Sequence, residues 1–173
     1  MQTYYSFTSF FNNVATSHPN VETFTLGDLY NVDMAKQTLF PLAHLIVNNT
    51  TIASGVMTYN VTFMVMDRVV DVVPDSSGPY NNLTSDYKDV TNIIDVHNTS
   101  LLTINDIVSY IYRNPGALDY NVVGISLATP FEERFDNLLA GWAIDLNISV
   151  GNPQDMCVID LDVNLAEGGE PAC

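Results

Sequence analysis

Basic residues are scarce in this 173-residue chain. Five Lys and Arg stand against 20 Asp and Glu, a formal net charge of -15. The five are scattered at Lys36, Arg68, Lys88, Arg113 and Arg134. Neutralising nucleic-acid phosphates takes clustered Lys and Arg, so DNA or RNA binding is excluded as a default reading. Docking on anionic membranes is disfavoured for the same reason. Charged residues of both signs amount to only 14%, against about 25% in an average globular domain. Uncharged polar residues must therefore supply much of the surface, and Asn alone occurs 18 times.

Long apolar runs are also missing. The densest, Val61 to Met66, is of strand length and far below the ~18 residues that span a bilayer. The opening Met1-Gln-Thr-Tyr-Tyr-Ser-Phe has neither the basic nor the apolar region of a signal peptide, which predicts a protein made and used without secretion. On that expectation the Asn-x-Ser/Thr triplets at Asn49, Asn60, Asn82, Asn98 and Asn147 carry no meaning. Cysteine is limited to Cys157 and Cys173, with no His or Cys at metal-ligand spacing, which argues against a zinc site. Free thiols are the better reading of the pair, and a disulfide tying back the C-terminus is the alternative.

Catalytic patterns are absent as well. There is no Gly-x-Ser-x-Gly, no glycine-rich phosphate loop and no Cys with a conspicuous His partner. His18, His44 and His97 are spread over a helix end, a strand and a helix, and His44 reads as a hydrogen-bonded structural residue. Asp67, Asp71 and Asp75 recur every four residues but lack the glycine and terminal Glu of a calcium loop, and the intervening valines suit a strand better. Asp160 and Asp162 share the wet side of a strand. Glu132, Glu133, Arg134 and Asp136 read as a charged helix surface. No cofactor or metal is expected, and an enzyme is not.

What is present is a foldable core: 47% of the residues are hydrophobic. Tyr4, Phe7, Phe11 and Val14 have helical spacing over residues 3–17 and stop at Ser17-His-Pro19, with Phe10 beside them. Five aromatics in so short a helix are core, or core plus a subunit contact. Glu22 to Leu26 alternates as a short strand. Residues 40–48 read as a strand, 48–51 and Ser54-Gly55 as turns. Then Met57, Tyr59, Val61, Phe63 and Val65 alternate with Thr58, Asn60 and Thr62, the second arm of an antiparallel hairpin. Residues 67–86 begin as strand and become a loop with Pro74, Gly78 and Pro79. A long helix is expected from about Tyr87, capped by Ser85, to Asn114-Pro-Gly116. Strands follow at 121–129 and from Trp142 to Val150, with a turn or short helix over 131–139 between them. Alternation of Cys157, Ile159, Leu161, Val163 and Leu165 suggests one more strand. The expected fold is α+β, a mainly antiparallel sheet with one long helix packed on a face and an aromatic N-terminal helix.

Charge is also unevenly placed. Residues 141–173 hold six acids and no Lys or Arg, which gives a surface that repels DNA.

Several phrases together carry a resemblance. They are Tyr4-Tyr-Ser-Phe7 with Ser17-His-Pro-Asn-Val21, Thr23-Phe-Thr-Leu-Gly-Asp28 leading to Gln37-Thr-Leu-Phe-Pro-Leu42, and the run from Phe131 to Trp142. The chain resembles neck and tail structural proteins of tailed bacteriophages, particularly Bacteroidetes and crAss-like phages, with the element order of the tail-terminator or connector-ring fold. The resemblance covers most of residues 1–150 and implies a ring-forming domain there; residues 151–173 lie outside it and read as a C-terminal strand and flexible acidic extension. It implies no catalytic residues. It implies instead a virion protein that packs in a hexameric or dodecameric ring beside portal, connector or tail proteins, while DNA passes without being specifically bound. Arg68, Tyr80 and Arg134 are then candidates for inter-subunit contact, and Asp160 and Asp162 for the channel wall. The 67–86 loop and the C-terminal extension are the elements expected to reach neighbours. Ring closure would have to come from apolar and backbone contacts, given the like charge of every copy. Two rivals remain. One is a small binding module with Tyr80, Tyr120 and Trp142 around a concave site. The other is a metal-dependent hydrolase using Asp67, Asp71 and Asp75.

Overall fold

The computed structural model of the chain describes residues 4–29, 39–72, 90–113, 120–133 and 139–151. In chain order these form α1 (Tyr4–Thr16), β1 (Thr23–Leu26), β2 (Leu42–Ala53), β3 (Val56–Arg68), β4 (Asp71–Val72), β5 (Val90–Thr91), α2 (Ile93–Arg113), β6 (Tyr120–Ile125), β7 (Thr129–Glu133) and β8 (Leu139–Gly151). The main sheet has the order β1-β2-β3-β8-β6, and β7 continues the β6 side by pairing with the first half of β8. β1 and β2 are parallel, and every other pair is antiparallel. The α+β class and the mainly antiparallel sheet are as expected.

The hairpin of β2 and β3 turns at Ser54-Gly55, where Gly55 has φ 74°. That left-handed conformation costs glycine nothing and other residues much. The expected turn at 48–51 is strand instead. β2 runs through it because Asn48 forms a bulge between the Val47–Val61 and Asn49–Asn60 pairs. Its side-chain amide donates to Asn60 Oδ1 (3.1 Å) and Thr62 Oγ1 (2.9 Å), so a residue that reads as turn-forming is held within the ladder.

Both helices lie on one face of the sheet. Phe7, Phe11 and Ala15 of α1 and Ile104, Ile107, Val108 and Ile111 of α2 share a core with Tyr59, Val61, Phe63 and Val65 of β3 and Ile144, Leu146, Ile148 and Val150 of β8. Alternation places those strand residues on the helix side. Rings lock α1 down: Phe7 stacks on Tyr59 with centroids 4.0 Å apart, and Phe10 on Tyr120 at 4.4 Å. Such pairs add about 0.5–1.5 kcal/mol to what their buried area contributes.

The long helix starts later than expected. Residues 90–91 pair with β4 as a small second ladder, and α2 begins at Ile93. Asn92 makes the junction: its Oδ1 accepts from the Val70 N–H (2.8 Å), its amide donates to the Arg68 carbonyl (3.3 Å), and its carbonyl accepts from the Val96 N–H (3.0 Å). At 21 residues and ~1.5 Å per residue, α2 is about 32 Å long. The expected turn or helix at Phe131 is likewise corrected. Phe131–Glu133 is strand β7, and Ser126 bridges β6 to β7, its N–H on the Asp145 carbonyl (2.9 Å) and its Oγ on the Asp145 N–H (2.9 Å).

The second sheet face differs along its length. At one end Leu42, Met66 and Leu139 are buried, packed by Leu29, Phe40, Met64 and Phe131. At the other, polar side chains bond across three strands. Asn60 donates to Asn147 Oδ1 (2.8 Å) and Thr62 to Asp145 Oδ1 (2.6 Å), continuing the Asn48 contacts.

Candidate functional site

Three surfaces invite a functional reading. The first is the outward side of the helix layer. On α2, Leu102, Asp106 and Tyr110 are spaced four apart and form one row. Leu102 is 53% exposed and Tyr110 50% exposed, while Tyr5 of α1 is 79% exposed and Tyr4 also reaches solvent. Between the two helices runs a groove of about 580 Å3, floored by Phe10, Val14 and Ile107 and edged by Tyr110. His18 closes one side of it. Its Nδ1 accepts the Asn20 N–H (3.2 Å), which leaves the proton on Nε2, 3.6 Å from Asp106 Oδ2.

A second groove, about 520 Å3, lies between α2 and the sheet at the Ile125 end of β6, lined by Leu101, Val108, Tyr112, Ile125 and Ile144 among others. The third surface is the polar half of the second sheet face, with Asn48, Asn60, Thr62, Asp145 and Asn147 bonded as a network. These side chains bond to one another across three strands and make a wet polar face.

The residues expected to matter fall in scattered places. Arg68 ends β3, half-buried, beside Asp67. Tyr80, Arg134, Asp160 and Asp162 lie outside the described residues, as do Asp75, Cys157 and Cys173. Tyr120 is core, and Trp142 is half-buried against it, its ring edge-on to His97 at 6.0 Å. Neither stands on a concave surface as an exposed aromatic. Asp67 is on β3 and Asp71 on β4, and among the described residues no three His, Cys, Asp or Glu gather as a metal site. Burial pushes the Asp67 carboxyl above its usual range, against the hydrogen bond from the Arg68 N–H and the charge of Arg68. Glu132 sits on β7, not a helix, and its Oε1 is 3.4 Å from His97 Nε2. The buried His97 Nδ1 and Trp142 Nε1 have no hydrogen-bond partner among the described residues.

His44 is a structural residue, as expected. It is buried, its Nε2 donating to the Gly27 carbonyl at 3.0 Å and its Nδ1 2.7 Å from Thr25 Oγ1. Burial lowers its pKa, with the Gly27 bond and Asp28 pulling the other way.

The exposed row on α2 is not among the expected site residues. A signal existed: the buried positions 96, 100, 103, 104, 107, 108 and 111 define the stripe, and Leu102, Tyr110 and Tyr112 fall off it. Large apolar residues off the stripe of an amphipathic helix mark a second contact surface. No protein-family model matches the chain, and the curated proteins contain no match to it.

Proposed function

We propose that the chain is a non-enzymatic structural protein of a tailed-phage virion, forming a ring at the head–tail junction or in the tail through which DNA passes. The observation that carries the reading is the tyrosine- and leucine-bearing outer side of the helix layer. A chain with net charge -15 repels its own copies at long range, so self-association needs contacts that bury apolar surface. Tyr4, Tyr5, Leu102 and Tyr110 supply them, since tyrosine is enriched in interface cores and charged residues are depleted there. A contact between two different patches, repeated around an axis, closes a ring.

The polar half of the other sheet face fits the channel side of such a ring. It offers neutral amides and hydroxyls with Asp145 and holds no Lys or Arg among the described residues. DNA sliding past would find nothing to bind. Neighbouring portal, connector or tail proteins are the further partners on this reading.

Electron microscopy of purified virions, with antibody or tag labelling of this chain, tests it. A labelled ring on the tail axis supports the proposal. Particles that lack the chain would overturn it.

A further inference from the structure

Beneath α2, at the Ile125 end of β6, is the groove formed by Leu101, Val108, Tyr112, Ile125 and Ile144. The edge that borders it is unguarded. Tyr120–Ile125 contains no charge and no proline; Val123 (56%) and Ile125 (49%) are exposed along it, and Ile125 faces the groove. The continuing β7 shows the contrast, because Pro130, Glu132 and Glu133 blunt that part of the edge. An apolar edge beside an apolar groove fits an extended segment with one apolar side.

The sequence beyond β8 has that pattern. β8 stops at Gly151, next to the start of β6, since Val150 pairs with Tyr120. Beyond it, Cys157, Ile159, Leu161, Val163 and Leu165 alternate with Asp160, Asp162 and Asn164. We infer that residues 157–165 add to the sheet as the strand outside β6 of the same molecule, their apolar side filling the groove under α2. Residues 152–156 span up to about 17 Å when extended, whereas stepping over β6 takes roughly 10 Å, two interstrand spacings. The segment then runs parallel to β6, as β1 already does to β2 in this sheet. Asp160 and Asp162 fall on the opposite, water-facing side. Intramolecular attachment gives the segment an effective concentration on the order of millimolar at this edge, which favours its own molecule over a neighbour.

The test uses the full chain with Cys173→Ser. Ile125→Cys, which stands on the groove side of β6, is combined in turn with Ile159→Cys, with Leu161→Cys or with Val163→Cys, and Cys157→Ser is added throughout. Adjacent strands hold such residues within disulfide reach, and the three positions cover the registers. Mild oxidation of a dilute sample should give, for at least one pair, a monomer with no free thiol. Failure of all three pairs, or disulfides only between molecules, would overturn the inference. Hydrogen exchange of the β6 amides supplies a second readout. Leu161→Asp with Val163→Asp should speed β6 exchange at least tenfold while leaving β8 unchanged, and equal β6 exchange in both proteins would overturn it too. Neither result depends on ring formation.

Discussion

His44 and Thr25 are joined across the parallel strand pair β1–β2, Nδ1 to Oγ1 at 2.7 Å. The Gly27 carbonyl can only accept, so His44 carries its proton on Nε2 and Nδ1 accepts from the Thr25 hydroxyl. The pair pins β1 to β2. Thr25→Val leaves a buried nitrogen unmatched and should cost about 1–3 kcal/mol in denaturant unfolding.

The same ring makes stability depend on pH. Burial lowers the His44 pKa from its usual 6.5, so the unfolded chain takes up a proton before the folded one does. His44 therefore contributes full stability above about pH 6.5, and that contribution falls as pH drops below it, until the lowered folded value is reached. Thermal unfolding from pH 8 to 5 should show this loss, and His44→Gln should flatten the slope.

Asp67 works in the opposite direction. Burial raises its pKa, so the folded state holds a proton that the unfolded state releases. Its relative contribution is greatest below the ordinary value near 3.8 and is lost as pH rises through the raised value. Asp67→Asn keeps the acceptor for the Arg68 N–H and removes the buried charge. It should raise the melting temperature at pH 7 and have little effect at pH 3.

Among the described glycines, Gly141 is the one whose added Cβ would meet backbone. A methyl there would run into the Val65 carbonyl oxygen and approach Met66 Cα to 2.8 Å. Both are backbone of β3, which cannot swing aside. Gly141→Ala should therefore destabilise by at least about 2 kcal/mol. Added at Gly151, where nothing lies within 4 Å of the position a Cβ would take, the same change should cost little. Urea midpoints of the two variants make the comparison.

The outer helix row is tested by Leu102→Glu and Tyr5→Glu. Both side chains are exposed in the single chain, so monomer stability should stay within about 0.5 kcal/mol. Assembly should weaken at least tenfold, read by mass photometry across a dilution series.

Much of the architecture is legible in the residues, and the departures have local causes. The alternation from Met57 to Val65 fixes both strand and face, and the aromatic spacing of residues 4–14 fixes α1. Asn48 reads as a turn residue because Asn commonly is one, yet here it bonds sideways to Asn60 and Thr62. Val90 and Thr91 fit the helical apolar pattern, but a pairing with Asp71 and Val72 across some twenty residues claims them. Local periodicity carries no trace of that partner. Candidate site residues were the least legible part. Ionisable side chains stand out in a sequence as chemistry, whereas the exposed features of the fold are Leu102, Tyr110 and the neutral edge of β6.

The most direct measurement is the native mass of the full chain at rising concentration and moderate salt, where charge repulsion is screened. The account predicts a discrete species of six or twelve copies of the 19.1 kDa chain, lost in Leu102→Glu and Tyr5→Glu. A chain that stays monomeric alone and when mixed with purified neck or tail particles would contradict it.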